Sequence, residues 1–347
     1  MRIAHVAPLW ESVPPRGYGA VESLVAELAA IQVLDGHDVT VFASGDSEVA
    51  GSLHSVSAAA LYADPRIREP EIYRMMQLLE VRDRAEEFDV IHSHVHSNTG
   101  CLAIPTLHGL GTPVVHTVHC FFNEDNAQLF RRFAAERYVA ISDDQRSRLP
   151  ELNYLDTVRH GIAVEAFPFD AEPSGRSPYL AFLGRIRPEK GVHAAIEAAR
   201  LAGFPLKIAG RIKPVDQDYF ERQVRPHVDG EHVSFLGELD FPGKTALLSS
   251  AAATLMTSLV PEPFGMVPIE SMACGTPVMS LRTGAAAELI RDGVTGLLAD
   301  SVQELAAAIR RFPTIDRASC RRHVTSEFSI RRMADGYAAA YRTATHG

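Results

Sequence analysis

The chain of 347 residues carries a net charge of -9 and is 46% hydrophobic and 22% charged. Its length is about twice the usual ~150 residues of a domain, which excludes a single small domain. No apolar run approaches the ~20 residues that span a bilayer, and an acidic chain is unsuited to coating nucleic acid, because that binding depends on neutralising phosphates.

Short Val/Ile-rich runs alternate with amphipathic stretches, a pattern typical of β-α-β units around a parallel sheet. The first half predicts strands near 2–8, 39–43, 89–94, 113–119, 137–141 and 157–160. The clearest helical pattern runs from Val21 to Leu34 and ends at Asp35-Gly36. The stretch from Ala163 to Pro178 then gathers prolines and predicts an interdomain linker.

The same pattern restarts after the linker. It predicts strands near 179–184, 206–210, 233–236, 253–257, 277–281 and 296–299. A last helical segment, Ser329 to Arg342, could pack on either domain. We therefore expect two Rossmann-like domains, at 1–165 and 166–325, and a C-terminal helical segment at 326–347. Two such domains facing each other would form a ligand cleft between the carboxyl ends of their strands.

The charge is unevenly divided between the two halves. Residues 1–165 hold 13 basic and 23 acidic groups, whereas residues 166–347 hold 21 basic and 20 acidic groups. An anionic ligand is therefore expected in the second half.

The cysteines and the amino-terminal sequence indicate the cellular compartment. Cys101, Cys120, Cys274 and Cys320 include no Cys-x-x-Cys pair, which favours free thiols over disulfides or a thiolate zinc site. The chain opens on a strand-like run with no cleavage site after it. We expect a cytoplasmic protein with no integral membrane segment; a peripheral position at the membrane stays open.

The sharpest motif is the run EPFGMVPIE from Glu262 to Glu270. Pro268 suits the first turn of a helix and Gly275 suits the residue after its end, so a short helix is predicted near 266–274. Its N-terminus would present unpaired amides to an anion, with one glutamate before it and one on its second turn. These are the amides of Gly265, Met266 and Val267.

A second motif follows the strand near 179–184. The strand breaks at Gly184 into a loop that carries Arg185 and Lys190. Two such cations can neutralise a leaving diphosphate without a metal. Taken alone, the loop could also be a solvated basic turn.

Together these motifs resemble the retaining glycosyltransferases of family 4, which have the GT-B fold of two facing Rossmann-like domains. The resemblance extends over nearly the whole chain. It rests on Arg16 to Glu22, Asp89 to His94, Thr117 to His119, His160 to Ile162, Gly184 to Gly191, Gly210, Glu262 to Glu270, and Thr283-Gly284 with Glu288. The glutamate pair enclosing Phe-Gly is the most specific of these.

This resemblance implies roles for residues of the second domain, the donor side. Arg185 and Lys190 would hold the donor diphosphate, Glu270 would bond the ribose, and Glu262 would contact the transferred sugar. The amides of Gly265, Met266 and Val267 would bind sugar hydroxyls and phosphate. Gly210 would belong to the donor-binding residues, and Arg211, just after it, would line the nucleobase pocket.

For the first domain, the expected acceptor side, the resemblance implies two roles. Gly19 would let its loop approach the diphosphate closely, since a side chain there would intrude. His119 would contact the donor sugar near the reacting carbon.

The reaction implied is transfer of a sugar from a UDP- or GDP-sugar to an acceptor hydroxyl, with retention of anomeric configuration. Neither a metal nor another cofactor would be required. The acceptor would be a small molecule, a lipid-linked molecule or a saccharide, in secondary-metabolite or cell-envelope glycoconjugate synthesis.

Other functions stay open. A sugar-nucleotide epimerase or a phosphorylase would share the fold, and a two-lobed sugar-binding module without catalysis is an alternative of another class. A nicotinamide dehydrogenase would need a third glycine where Glu22 stands. A glycosidase pair of carboxylates is disfavoured by the accompanying cations. His92, His94 and His96 could form a metal site, although no carboxylate or thiolate at ligand spacing completes it.

Overall fold

The structure, a computed structural model, describes residues 1–17, 19–96, 100–171, 178–311 and 314–346. The chain divides into two compact units. The first comprises Met1–Gly161 and Ile330–Gly347, and the second comprises Ile162–Ser329. Tyr18 of the early turn and residues 172–177 of the predicted linker lie outside the described residues.

The first unit contains a seven-stranded parallel sheet in the order β3-β2-β1-β4-β5-β6-β7. Its strands are β1 (Arg2–Val6), β2 (Asp38–Phe42), β3 (Ser52–His54), β4 (Val90–Val95), β5 (Val114–Val118), β6 (Arg137–Ala140) and β7 (Tyr154–Thr157). Every residue of β4 and β5 is buried, as expected for central strands covered on both faces.

The helices of the first unit include the C-terminal one. They are α1 (Ala20–Leu34), α2 (Pro70–Asp83), α3 (Ala103–Leu107), α4 (Glu124–Arg132), α5 (Asp143–Arg148) and, from the chain end, α13 (Ile330–His346). Helix α13 packs against α1, and it buries Tyr337 and Tyr341. An exposed ion pair, Arg331 with Asp35 at 2.7 Å, also joins the two helices.

The second unit contains a six-stranded parallel sheet in the order β10-β9-β8-β11-β12-β13. Its strands are β8 (Leu180–Leu183), β9 (Leu206–Ala209), β10 (Val233–Phe235), β11 (Ala253–Met256), β12 (Val278–Leu281) and β13 (Gly296–Ala299). Its helices are α6 (Val192–Ala202), α7 (Gln217–Tyr219), α8 (Phe241–Ser250), α9 (Met266–Ala273), α10 (Ala286–Leu289), α11 (Val302–Ile309) and α12 (Arg317–Glu327).

The architecture agrees with the predicted α/β class, and three details differ. The short strand β3 was not predicted, and β7 ends at Thr157 where the sequence predicts a strand near 157–160. The predicted linker from Ala163 is also wrong over its described part, which belongs to the second unit. There Phe167 is buried and its carbonyl accepts a hydrogen bond from Arg321, 2.9 Å away.

None of the described helices combines the length and the apolar character needed to cross a membrane.

Candidate functional site

Lys190 and Glu262, distant in sequence, form an ion pair beside the end of β11. Lys190 ends a short 3-10 helix, Pro188–Lys190, and the next residue, Gly191, has φ +66°. A Cβ at Gly191 would overlap the carbonyl oxygen of Thr257, so only glycine allows the loop to lie this close. The Lys190 Nζ thereby lies 2.6 Å from Glu262 Oε2.

The loop that carries Glu262 is held by contacts that the sequence did not reveal. The Ser258 hydroxyl donates to Glu262 Oε1, and the Thr283 hydroxyl donates to the Ser258 carbonyl, 3.1 Å away. Gly284 has φ +54°, and a Cβ there would overlap the backbone of Glu262. The Glu262 side chain, 14% exposed, is therefore oriented from two sides.

Helix α9 begins next to this carboxylate, close to the predicted start near 266. Gly265 precedes it with φ +99°, and a Cβ on Gly265 would lie 3.5 Å from Glu262 Oε2. The first amides of a helix have no partner within the helix, so the amides of Met266 and Val267 are available to an anion. Gly275 has φ +80° just after the helix end, as predicted.

Glu270, on the second turn of α9, pairs with a lysine that sequence reasoning missed. The Lys244 Nζ of α8 lies 2.7 Å from Glu270 Oε1, and Glu270 is only 9% exposed. The ammonium also lies 5.1 Å from the ring centre of Phe241. Each glutamate of the motif therefore pairs with one of the chain's four lysines.

Cations gather where β8 and β9 end. Gly210 approaches Gly184 so closely that a Cβ on Gly210 would overlap the Gly184 carbonyl oxygen. The pKa of Lys213, which lies outside both sequence motifs, is lowered by burial and then by Arg185 and Arg211. This repulsion means that an anion binding here would be stabilised by several cations at once.

Arg211 has a carboxylate partner in the structure. Its guanidinium donates two hydrogen bonds, of 2.7 and 2.9 Å, to Glu238. Such a two-point pair orients the guanidinium plane firmly.

Packing within the first unit explains why position 19 is a glycine. It immediately precedes α1, and a Cβ on it would lie 2.6 Å from the Cβ of Pro15. Burial raises the pKa of the nearby Glu22 to about 7. This glycine is thus required by packing within its own loop, independently of any ligand.

His119 follows β5 directly and is hydrogen-bonded on both ring nitrogens. Its Nε2 lies 3.0 Å from His94 Nδ1, and its Nδ1 lies 3.3 Å from His160 Nε2. Burial lowers the pKa of His119 well below its usual range, so the imidazole is neutral at pH 7.

The buried histidines of the first unit form a different cluster from the metal site that the sequence suggested at His92, His94 and His96. His5, rather than His96, joins His92 and His94, with ring nitrogens within 4.8 Å of one another. All six nitrogens of these three rings have hydrogen-bond partners within the protein. The group is therefore satisfied as a hydrogen-bond network and needs no metal ion to explain it.

Two family models match the chain in succession. The model for Glycosyltransferase Family 4 matches residues 20–164, and that for Glycosyl transferases group 1 matches residues 164–323. The chain is a glycosyltransferase. The two matched segments correspond closely to the two units, and the fold is GT-B.

Curated relatives extend over almost all of this glycosyltransferase. Glycogen synthase of Mycobacterium tuberculosis is 29% identical over 407 residues, covering 100% of this chain and 96% of the relative. Phosphatidyl-myo-inositol mannosyltransferase of Mycobacterium leprae is 29% identical over 336 residues, covering 89% and 86%.

Solved structures support the fold over the whole length. Sucrose-phosphate synthase from Thermosynechococcus elongatus superposes with a TM-score of 0.80 at 20% identity, covering 99% of this chain and 98% of that one. An Anabaena protein in complex with UDP and glucose superposes with a TM-score of 0.74 at 19% identity, covering 99% and 100%.

Proposed function

We propose that this glycosyltransferase moves a sugar from a nucleotide diphosphate sugar to an acceptor hydroxyl with retention of anomeric configuration. The observation that carries the proposal is the Lys190–Glu262 pair at the start of α9. It brings together a cation for a phosphate, a carboxylate for sugar hydroxyls and helix amides for either. UDP is the first nucleotide to test, because the similar Anabaena structure contains UDP and glucose; GDP is the second.

Arg185 and Lys190 would neutralise the diphosphate, and the phosphate oxygens would replace Glu262 as the partner of Lys190. The concentration of positive charge at the ends of β8 and β9 supports this role. Protein cations and helix amides can then stabilise the leaving group electrostatically, so we expect transfer to require no added metal.

The remaining residues would bind the other parts of the donor. Glu262 and the amides of Gly265, Met266 and Val267 would bind the sugar, and Glu270 would bond the ribose. Arg211, next to the donor-binding Gly210, would contact the nucleobase.

In the first unit, Gly19 would admit the diphosphate, and His119 would contact the transferred sugar. The second unit would thus hold the donor and the first the acceptor.

In the proposed reaction the acceptor hydroxyl attacks the anomeric carbon on the face from which the diphosphate leaves. The bond to the diphosphate oxygen breaks, and that oxygen takes the proton of the attacking hydroxyl. Negative charge then develops on the leaving group, and the positive charges of Arg185 and Lys190 stabilise it. A neutral His119 adds no repulsion to the positive charge that develops on the sugar.

The direct test is release of nucleoside diphosphate from a panel of UDP-, GDP- and ADP-sugars, with and without saccharide, polyol and lipid-linked acceptors. The proposal expects release that depends on an acceptor and a product with the anomeric configuration of the donor. Conversion of the donor sugar without diphosphate release would indicate an epimerase and overturn the proposal.

Lys244→Met should raise the KM for the donor about tenfold and change kcat less than about twofold. The variant removes the cation that neutralises Glu270 and orients its carboxylate, which costs donor binding in the ground state and the transition state alike. Lys244→Arg, which retains the charge, is the control and should remain near wild type. Steady-state kinetics would measure kcat and the donor KM of both variants. An unchanged donor KM for Lys244→Met would contradict the ribose role of Glu270.

A further inference from the structure

Four imidazoles form a row through the first unit that ends at a glutamine. His160 Nε2 is 3.3 Å from His119 Nδ1, His119 Nε2 is 3.0 Å from His94 Nδ1, and His94 Nε2 is 3.1 Å from His5 Nδ1. His5 Nε2 is 2.6 Å from Gln32 Oε1. Adjacent rings are inclined by only 23–24°.

The ring protons of this row depend on one another. Burial lowers the pKa of His5 to about 4 and that of His160 to about 3, and it lowers those of His94 and His119 well below their usual range. Each ring is therefore neutral and carries one N–H, which can be donated to one neighbour only. All four protons must consequently point the same way along the row, either toward Gln32 or away from it.

The distances around Gln32 select the direction. Its Oε1 lies 2.6 Å from His5, as suits a strong N–H···O bond, and its Nε2 lies 3.2 Å from the Tyr341 hydroxyl. The reverse amide orientation would require a phenol O–H···O bond of 3.2 Å, longer than such bonds normally are. His92 Nδ1, 2.7 Å from the Tyr341 hydroxyl, is the better placed acceptor for the phenol proton.

We propose that Gln32 is a positioning residue, which acts through His5 and His94 to keep the ring proton of His119 on Nε2. His119 Nδ1 is then the acceptor for His160. The proposal rests on the proposed function, in which His119 contacts the transferred sugar. Because both ring nitrogens of His119 are engaged within the row, a single tautomer fixes the orientation of a neutral ring and places no cationic charge beside that sugar.

The first experiment measures the tautomers directly and does not depend on activity. In 15N NMR spectra of the full chain with labelled histidine, protonated and bare ring nitrogens are well separated. We expect one N–H at Nε2 on all four rings of the wild type. Gln32→Leu removes the acceptor for His5, so the direction of the row should no longer be fixed and His119 protonated on Nδ1 should appear beside the wild-type tautomer. Gln32→Glu retains an oxygen facing His5 and should keep the wild-type pattern.

The second experiment relates the tautomer to transfer. Gln32→Leu should lower kcat about tenfold and leave the donor KM within about twofold, because the donor-binding residues proposed for the second unit are unchanged. Gln32→Glu should restore most of kcat. His116→Phe is the matched control: His116 is buried in β5, and neither of its ring nitrogens has a hydrogen-bond partner among the described residues. Its loss should affect stability but not kcat.

Three results would overturn the proposal: a wild-type His119 protonated on Nδ1, a Gln32→Leu variant with the wild-type tautomer alone, or a mixture of tautomers with unchanged kcat. His119→Asn tests the proposed function separately. If that variant kept full kcat, the assigned role of His119 would be wrong, whereas the tautomer spectra would still decide whether Gln32 orders the row.

Discussion

Lys190→Met should lower kcat by about 10²- to 10³-fold, the largest effect that we expect from a single substitution. Methionine has a side chain of similar length but cannot stabilise the negative charge that develops on the leaving diphosphate. Loss of one such preorganised contact costs about 3–4 kcal/mol of transition-state stabilisation. Steady-state kinetics with the donor identified by the nucleotide panel would measure it.

The fold of this variant should remain intact. Lys190 is 27% exposed, and a partly exposed ion pair contributes about 1 kcal/mol or less to the free energy of unfolding. Lys207→Met is the matched control, because Lys207 lies in β9 with its ammonium 3.9 Å from the ring centre of Tyr179. It should keep wild-type kcat. Near wild-type kcat in Lys190→Met would remove the assigned role.

Glu262→Gln should lower kcat by about 100-fold. Glutamine has the same size and can still accept the hydrogen bond from Ser258, so the loop should keep its conformation. It lacks the negative charge that would oppose the positive charge developing on the transferred sugar. Thermal unfolding of the variant checks that the loss is not structural.

The double variant separates two explanations of the Lys190–Glu262 pair. If Lys190 holds the diphosphate and Glu262 holds the sugar in the loaded enzyme, the two losses should nearly multiply. If the two residues work only as an ion pair, the double variant should be no worse than the poorer single variant. We expect the first result, and the second would contradict the division of roles.

Most of the fold could be predicted because buried parallel strands have a strong local signature. The strands of the second unit were all predicted within about two residues, since each is a short apolar run between turn signals. Strand β3, Ser52–His54, lacks that signature because it is short, partly exposed and at the sheet edge. The predicted linker failed because prolines mark irregular backbone but do not show that Phe167 is buried against its unit.

The candidate site could be predicted only where its features are encoded within a few consecutive residues. Helix α9 and Gly275 follow from proline and glycine preferences within a few residues. The pairing of Lys244 with Glu270, and the contact of His5 with His94, depend on which strands and helices become neighbours. No spacing along the chain encodes those contacts, so both Lys244 and His5 were missed.

The most direct test of the central claim is the thermal unfolding midpoint measured with UDP, GDP and ADP and their sugar conjugates. A ligand that binds only the folded protein stabilises it by RT ln(1 + [L]/Kd), about 2.7 kcal/mol at 100 times Kd. We expect at least one nucleotide diphosphate to raise the midpoint in the wild type and in Lys207→Met, and to raise it far less in Lys190→Met. A midpoint that no nucleotide moves, or a shift that Lys190→Met leaves intact, would contradict the account.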